Sequence, residues 1–312
     1  MAFVHSQPSA AVGLHRKPLW RRIKEGPVFF LVPLFAMLLL FYLWPVLDVV
    51  RLSFTNSKIG SAEYTYTLDS YVQVLTDPSF VPMLGITFVF VVLSVVFQTG
   101  LGFGIALLVY SAERRNTRGT LFVRTVALIT WAIPGVVIGI IWKMLFDESQ
   151  AGILNYFIQM LGMKPIAFLS NQDLAKYSIS LANIWRGTAP TMILMYAGLK
   201  TVPTDMLEAA EVDGAVAWQR LIHIIVPSVR PVILTNLLLN TINTFNTFDM
   251  IMSLTGGGPG RSTEVLVLNA YNRIFSQLQL GRGAVVAVIL LLINMTMSFV
   301  YIRLGTQKED LE

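Results

Sequence analysis

The sequence predicts an all-α polytopic membrane protein of six transmembrane helices, and three observations carry that prediction. Apolar residues make up 54% of the 312 positions and charged residues only 13%, a balance outside that of ordinary soluble domains. The apolar residues are also clustered: Pro27–Leu47 holds no charged side chain, and neither do the 31 residues from Phe80 to Tyr110. A hydrocarbon core about 30 Å thick takes roughly 20 residues of helix, so each run is long enough to cross it. Finally, lysine and arginine gather on alternate loops, as in a chain threaded repeatedly through a membrane.

The first span, 27–49, follows a basic segment, which is also how a signal peptide begins. Its apolar run is long and carries no small-residue cleavage pattern, so an uncleaved span is expected, leaving 1–26 as an N-terminal tail. The second and third spans are read at 82–110 and 124–145, the latter with a kink at Pro134. Small-xxx-small spacings at Gly100 and Gly104, with Gly102 between them, and at Gly135 and Gly139 predict close helix packing. The fourth span, 178–199, contains Arg186 together with Ser180, Asn183 and Thr188, and the fifth, 230–251, is rich in asparagine and threonine. Such spans need protein rather than lipid around them. The sixth, 283–303, leaves 304–312 as a C-terminal tail. The spans show no acidic pair, which gives a proton-driven mechanism little to work with. Without cysteine there is neither a disulfide nor a thiolate metal site.

Orientation follows from the basic residues. With the N-terminus inside, fourteen lysines and arginines fall on the cytoplasmic side and nine elsewhere, so both termini are expected in the cytoplasm. The net charge of +5 is then a topological bias and no sign of a nucleic-acid partner.

Between the fourth and fifth spans lies a loop, 200–230, whose composition is richer than a turn requires. TDMLEAAEVD begins with Thr204 as N-cap and Asp205 in the first turn, where the helix dipole favours an acid. Leu207 and Ala210 share one side of this helix, and Glu208 and Glu211 share another. Gly214 then stops or bends the chain. The following AVAWQRLIHIIV is apolar enough to lie along the membrane, with Pro227 and Pro231 constraining its return. Periodicity alone leaves two roles open, docking to a soluble protein or a solvated connector.

EAAEVDGA followed by IIVPSVRP, Glu208 to Pro231, resembles the EAA signature of bacterial binding-protein-dependent ABC importer permeases. Glu208, Ala209, Ala210, Asp213, Gly214 and Ala215 fall on the motif, as do Ile224, Pro227 and Pro231. GLKTVPTDMLEAA resembles the carbohydrate branch, and LTGGGPGRSTEVLVLNAYNRIFS is similar to the outward loop of the larger membrane subunit of maltose-type importers. The resemblance implies the ABC importer type I permease fold over 27–303 and a place in the bacterial cytoplasmic (inner) membrane. It implies as partners a second homologous permease chain, two ATPase subunits and an extracytoplasmic solute-binding protein. Glu208, Ala209, Ala210, Asp213, Gly214 and Ala215 would form the ATPase coupling helix and its turn, with Glu208 facing a basic residue there. Thr255, Gly256, Gly257, Gly258 and Pro259 would contact the binding protein.

No GxxxxGK[ST] phosphate loop occurs; ATP and Mg are therefore expected in the partner ATPase, with no cofactor, metal or catalytic residue in this chain. His5 and His15 lie in the N-terminal tail and His223 is isolated. On the fifth span Asn236, Asn240, Asn243 and Thr247 recur at spacings of four, three and four, widened by Thr244. This polar stripe suits either a pathway for a carbohydrate substrate or interhelical bonding. Trp185 and Arg186 form a second candidate on the pathway, with structural anchoring as the alternative. The expected function is the permease subunit of an ATP-driven sugar or oligosaccharide importer. Glycerophosphodiester or polyol uptake is the alternative cargo, and a stand-alone secondary carrier or a scaffold the alternative class.

Overall fold

The structure is a computed structural model that describes residues 27–149 and 152–306. The expected N-terminal tail over 1–26, with His5 and His15, and residues 307–312 of the expected C-terminal tail lie outside the described residues. The described chain is helical, with one isolated bridge between Thr55 and Tyr66. It divides into two compact units, 1–49 and 50–312.

In the first unit the helix α1, over 27–53, includes one wider turn at Leu39–Leu43 and runs on into the second unit. Its side chains from Leu31 to Leu47 are all exposed, a greasy surface suited to lipid or to another membrane protein.

The second unit continues with α2 (Asp69–Leu75), α3 (Phe80–Arg114), α4 (Thr120–Ala132), α5 (Gly135–Leu145), α6 (Ile153–Met160) and α7 (Gln172–Leu199). The loop helices α8 (Thr204–Val212) and α9 (Ala217–Ser228) follow, then α10 (Arg230–Phe245), α11 (Asp249–Leu254), α12 over 266–276 and α13 (Leu280–Thr306). By length and composition, helices α1, α3 and α13 can each cross a membrane, and the bent pairs α4/α5 and α9/α10 bring the candidates to five. Helix α7 covers the expected fourth span but is too polar to join this set. It survives because it is the most enclosed of the long helices described, with Ser180, Asn183 and Thr191 all buried. Protein, not lipid, surrounds those polar groups.

Two spans differ from the continuous helices expected. At Ile133 and Pro134 the chain turns by 102°, far more than a proline kink, so that α5 runs in a different direction from α4. The expected fifth span likewise stops at Phe245 and restarts at Asp249. The two short helices α5 and α11 pack together. A Cβ at Gly135 would strike the Asp249 carboxylate, and one at Gly139 would strike Ser253 and the Met250 carbonyl. The small-xxx-small spacing thus serves an i, i+4 pair on the facing helix.

Helices α3 and α7 form the principal seam. Gln98 sits on Gly187 and donates to the Asn183 carbonyl at 2.8 Å. One turn on, Thr191 sits on Gly102. Gly102, and not the expected Gly100 and Gly104 pair, makes the close approach, since a Cβ at either of the latter meets nothing within 4 Å. Residues two apart on a helix point to different sides. Helix α10 joins the seam through Asn240, which donates to Thr191 at 2.9 Å, and Asn236, which donates to Thr99 at 3.4 Å.

Away from the 200–230 loop, the other end is closed by a charged network. Arg273, 4% exposed, donates to Asp77 at 2.7 Å and to Asn269 at 2.8 Å. Buried Glu264 accepts from Asn269, Asn272 and Arg261. Hydrogen bonds from the Ser79 hydroxyl, then its amide and Arg273, outweigh burial and hold the Asp77 carboxyl down to about 2, against an ordinary 3.8. A depressed pKa contributes stability above the ordinary value that is lost as pH falls through the folded one.

Two outcomes are expected from this packing. Gly102→Ala should weaken the bundle by about 1–3 kcal/mol through overpacking, with Gly100→Ala and Gly104→Ala near neutral, read as thermal unfolding in detergent. Asp77→Asn should leave Arg273 buried and unpaired at a cost of about 3–5 kcal/mol. It should also remove the loss of stability expected of the native chain between the ordinary carboxyl pKa of 3.8 and about 2.

Candidate functional site

The loop helix α8 begins at Thr204 with Pro203 at the cap, one residue earlier than the N-cap expected at Thr204. Its lower face is anchored by Leu207, 2% exposed, in a cluster with Met195, Leu199, Val202 and Val229. Burial of one leucine contributes about 1.5–3 kcal/mol. The helix ends in paired bonds from Gly214 to the Glu211 carbonyl at 3.1 Å and from Ala215 to the Ala210 carbonyl at 2.9 Å. Gly214 has φ +80, the left-handed position that this C-cap requires and a glycine adopts without strain. The Gln219 side chain then caps α9 by accepting from the Val216 amide at 2.9 Å.

On the outer face Glu208, Ala209 and Asp213 are exposed, and Ala210 and Ala215 half-buried. Around them lie Met206, Val212, Val216 and Trp218, all exposed, Val212 at 88%. The Glu208 carboxylate is 3.7 Å from Arg114 at the end of α3, and Glu211 is 2.9 Å from Arg220 on α9. Apolar side chains standing in the open beside carboxylates form a surface suited to a protein partner. Behind it, Lys200 lies 3.0 Å from Glu113, Tyr196 donates to Glu113, and Arg124 donates to Tyr196 at 3.0 Å. These bonds tie the ends of α3, α4 and α7. His223 is exposed, its Nδ1 3.0 Å from the Gln219 carbonyl.

The polar stripe on α10 divides between two faces. Asn236, Asn240, Thr244 and Thr247 are buried within the chain, the first two in the interhelical bonds described above. Thr247 donates to the Asn243 carbonyl at 2.9 Å. The Asn243 side chain lies on the exposed flank, in line with Thr235, Leu239 and Asn246.

Trp185 is 40% exposed, its ring edge-on to Trp142 at 6.2 Å. Arg186 meets Asp249 through both terminal guanidinium nitrogens, at 3.1 and 3.5 Å, and both side chains are about a third exposed, 33% and 39%. Asp249 was not singled out in the sequence, although an acid within an apolar run is a signal of function by itself; the partners stand 63 residues apart.

In the glycine-rich loop, Gly256 is exposed, Gly257 is buried, and Thr255, Gly258 and Pro259 lie between. Gly257, at φ +94, passes under Leu268. Thr263 donates to the Gly258 carbonyl at 2.7 Å and pairs with the Thr255 hydroxyl at 2.7 Å. The loop is therefore a bonded unit seated on α12, with Gly260 and Arg261 outermost.

Comparisons with known proteins agree with this architecture. Residues 100–306 match the family described as the binding-protein-dependent transport system inner membrane component. The trehalose/maltose transport system permease protein MalF of Thermococcus litoralis is 31% identical over 298 residues, 95% of this chain and 99% of that one. The sn-glycerol-3-phosphate transport system permease protein UgpA of Brucella abortus is 31% identical over 269 residues, 86% of this chain and 90% of the relative. A chain of the bacterial alginate ABC transporter, solved in complex with an alginate pentasaccharide-bound periplasmic protein, shares the fold. Its TM-score is 0.79 at 18% identity, over 93% of this chain and 97% of that one. With its loop signature, its enclosed polar seam and these matches, the chain belongs to the binding-protein-dependent transport system inner membrane components, the membrane permeases of ABC transporters.

Proposed function

We propose that this chain is one half of the pore of an ATP-driven importer that carries a sugar or oligosaccharide across the cytoplasmic membrane by alternating access. The observation that carries the reading is α8: a short helix pinned to the bundle by Leu207 and presenting carboxylates and bare apolar side chains outward. That arrangement favours docking over a solvated connector, since a connector gains nothing by exposing Val212, Val216 and Trp218. The bundle crosses the membrane six times, with the bent α4/α5 pair, α7 and α10 supplying the inner spans and both termini in the cytoplasm, as the distribution of lysine and arginine favours.

In this reading two ATPase subunits bind ATP and Mg beneath a pair of homologous permease chains, and this chain is not itself an enzyme. Glu208 takes a basic residue of the ATPase in exchange for Arg114, and Gly214 lets α8 and α9 wrap the docking cleft. A solute-loaded binding protein meets the opposite end around Thr255–Pro259 and Arg261. The pathway face is formed by Trp185, Arg186 and Asn243, while Asn236 and Asn240 hold α10 in the seam and Thr244 and Thr247 are buried within the chain. Relatives named for trehalose/maltose and for sn-glycerol-3-phosphate transport support a carbohydrate or polyol derivative as cargo, and they divide on its charge.

The test is solute uptake by the complete transporter in proteoliposomes. Glu208→Lys and Gly214→Val should each lower ATP-driven uptake by about tenfold or more while the chain inserts normally. Uptake that persists without ATP, or that both variants leave unchanged, would overturn the proposal in favour of a stand-alone carrier.

A further inference from the structure

We infer that Arg186 and Asp249 form a charge-balanced binding station on the pathway, built to accept uncharged, hydroxyl-rich solutes and to turn away anions. The inference rests on the transport reading above and names the class of cargo within it.

Depth comes first. Arg186 is the fifteenth of the 28 residues of α7, so it stands roughly 21 Å along a helix about 42 Å long. An ion pair at that depth cannot face lipid, yet a third of each side chain is open on this chain. Water, or solute in place of water, is the neighbour that an open ion pair at mid-membrane tolerates.

Charge decides what the station holds. Arg186 engages Asp249 by a two-pronged contact at 3.1 and 3.5 Å. The same carboxylate is seated against Gly135 at the N-terminus of α5, so closely that no side chain fits there. Asp249 is thus held by a guanidinium and by a helix end that favours negative charge. An incoming carboxylate or phosphate would have to displace an anion fixed in two ways, and would then lie beside it.

A neutral hydroxyl meets no such barrier. The guanidinium keeps N–H groups beyond the two in the pair, and the carboxylate keeps lone pairs, so one solute can both accept and donate. Trp185, the next residue on α7, is 40% exposed and edge-on to Trp142, and an open indole suits the carbon face of a sugar ring.

The chain has no cysteine, which permits a direct test. Leu181, one turn from Trp185 and 47% exposed, is replaced by cysteine in the full chain within its native membrane complex. Modification by an anionic and by a cationic methanethiosulfonate is then followed by mass spectrometry of this chain. With the pair intact the two reagents should react at comparable rates. Asp249→Asn should raise the anionic-to-cationic ratio by about tenfold or more, and Arg186→Gln should lower it similarly. Trehalose should slow modification in the native pair, and sn-glycerol 3-phosphate only in Asp249→Asn. If either single variant fails to insert, the double variant Arg186→Gln with Asp249→Asn removes both charges at nearly unchanged size and should keep the native ratio.

A cysteine that neither reagent reaches would overturn the inference. So would a ratio unmoved by loss of either charge, a ratio changed by the neutral double variant, or protection of the native pair by sn-glycerol 3-phosphate alone. Failure of ATP-driven uptake with the reagent ratios as stated would count against the transport reading and leave the station standing.

Discussion

Close approach between α3 and α7 is the constraint on which the rest of the bundle depends. Gln98 on Gly187 and Thr191 on Gly102 bring two long helices together at successive turns, and inside a membrane such contacts carry the association that water would otherwise drive. The seam also explains why α7 can be polar at all. Gln98 donates to the Asn183 carbonyl and Asn240 to the Thr191 hydroxyl there, where lipid would leave such groups unpaired.

From the seam, structure passes to both ends. At one end the C-terminal turns of α3 and α7 carry Glu113, Tyr196 and Lys200, and the same turns supply Tyr110, Met195 and Leu199 to the cluster that receives Leu207. A force on α8 therefore reaches the seam through packed side chains rather than through a loose loop. At the other end the Arg273 and Asp77 pair, with Glu264 and Asn269, fixes the glycine-rich loop against α12. Between the ends, α5 and α11 hold Asp249 where it meets Arg186. Helix α8, the glycine-rich loop and the Arg186–Asp249 pair thus sit on one connected frame.

Local features of this frame were legible in the sequence, and distant ones were not. The α8 turn could be read because its determinants lie within a few residues: helix formers, carboxylates on one side, and a glycine at the position that needs positive φ. The polarity of α7 and α10 correctly called for protein around them. A 102° turn at Pro134 could not be sized from the sequence, because proline states only that a helix is interrupted and the packing of α5 on α11 sets the new direction. Among Gly100, Gly102 and Gly104 the spacing named the wrong pair, since which face meets α7 is a tertiary fact. Nor does any local pattern join Arg186 to Asp249, or Arg273 to Asp77 across 196 positions.

The central claim is that α8 and the seam move as one body. It is tested most directly by the distance between spin labels at Leu108 on α3 and Met206 on α8, both exposed, in the complete transporter carried through its nucleotide cycle. The account predicts one narrow distance distribution that stays the same with and without ATP; a distribution that shifts by several ångströms or splits in two on nucleotide binding would contradict it.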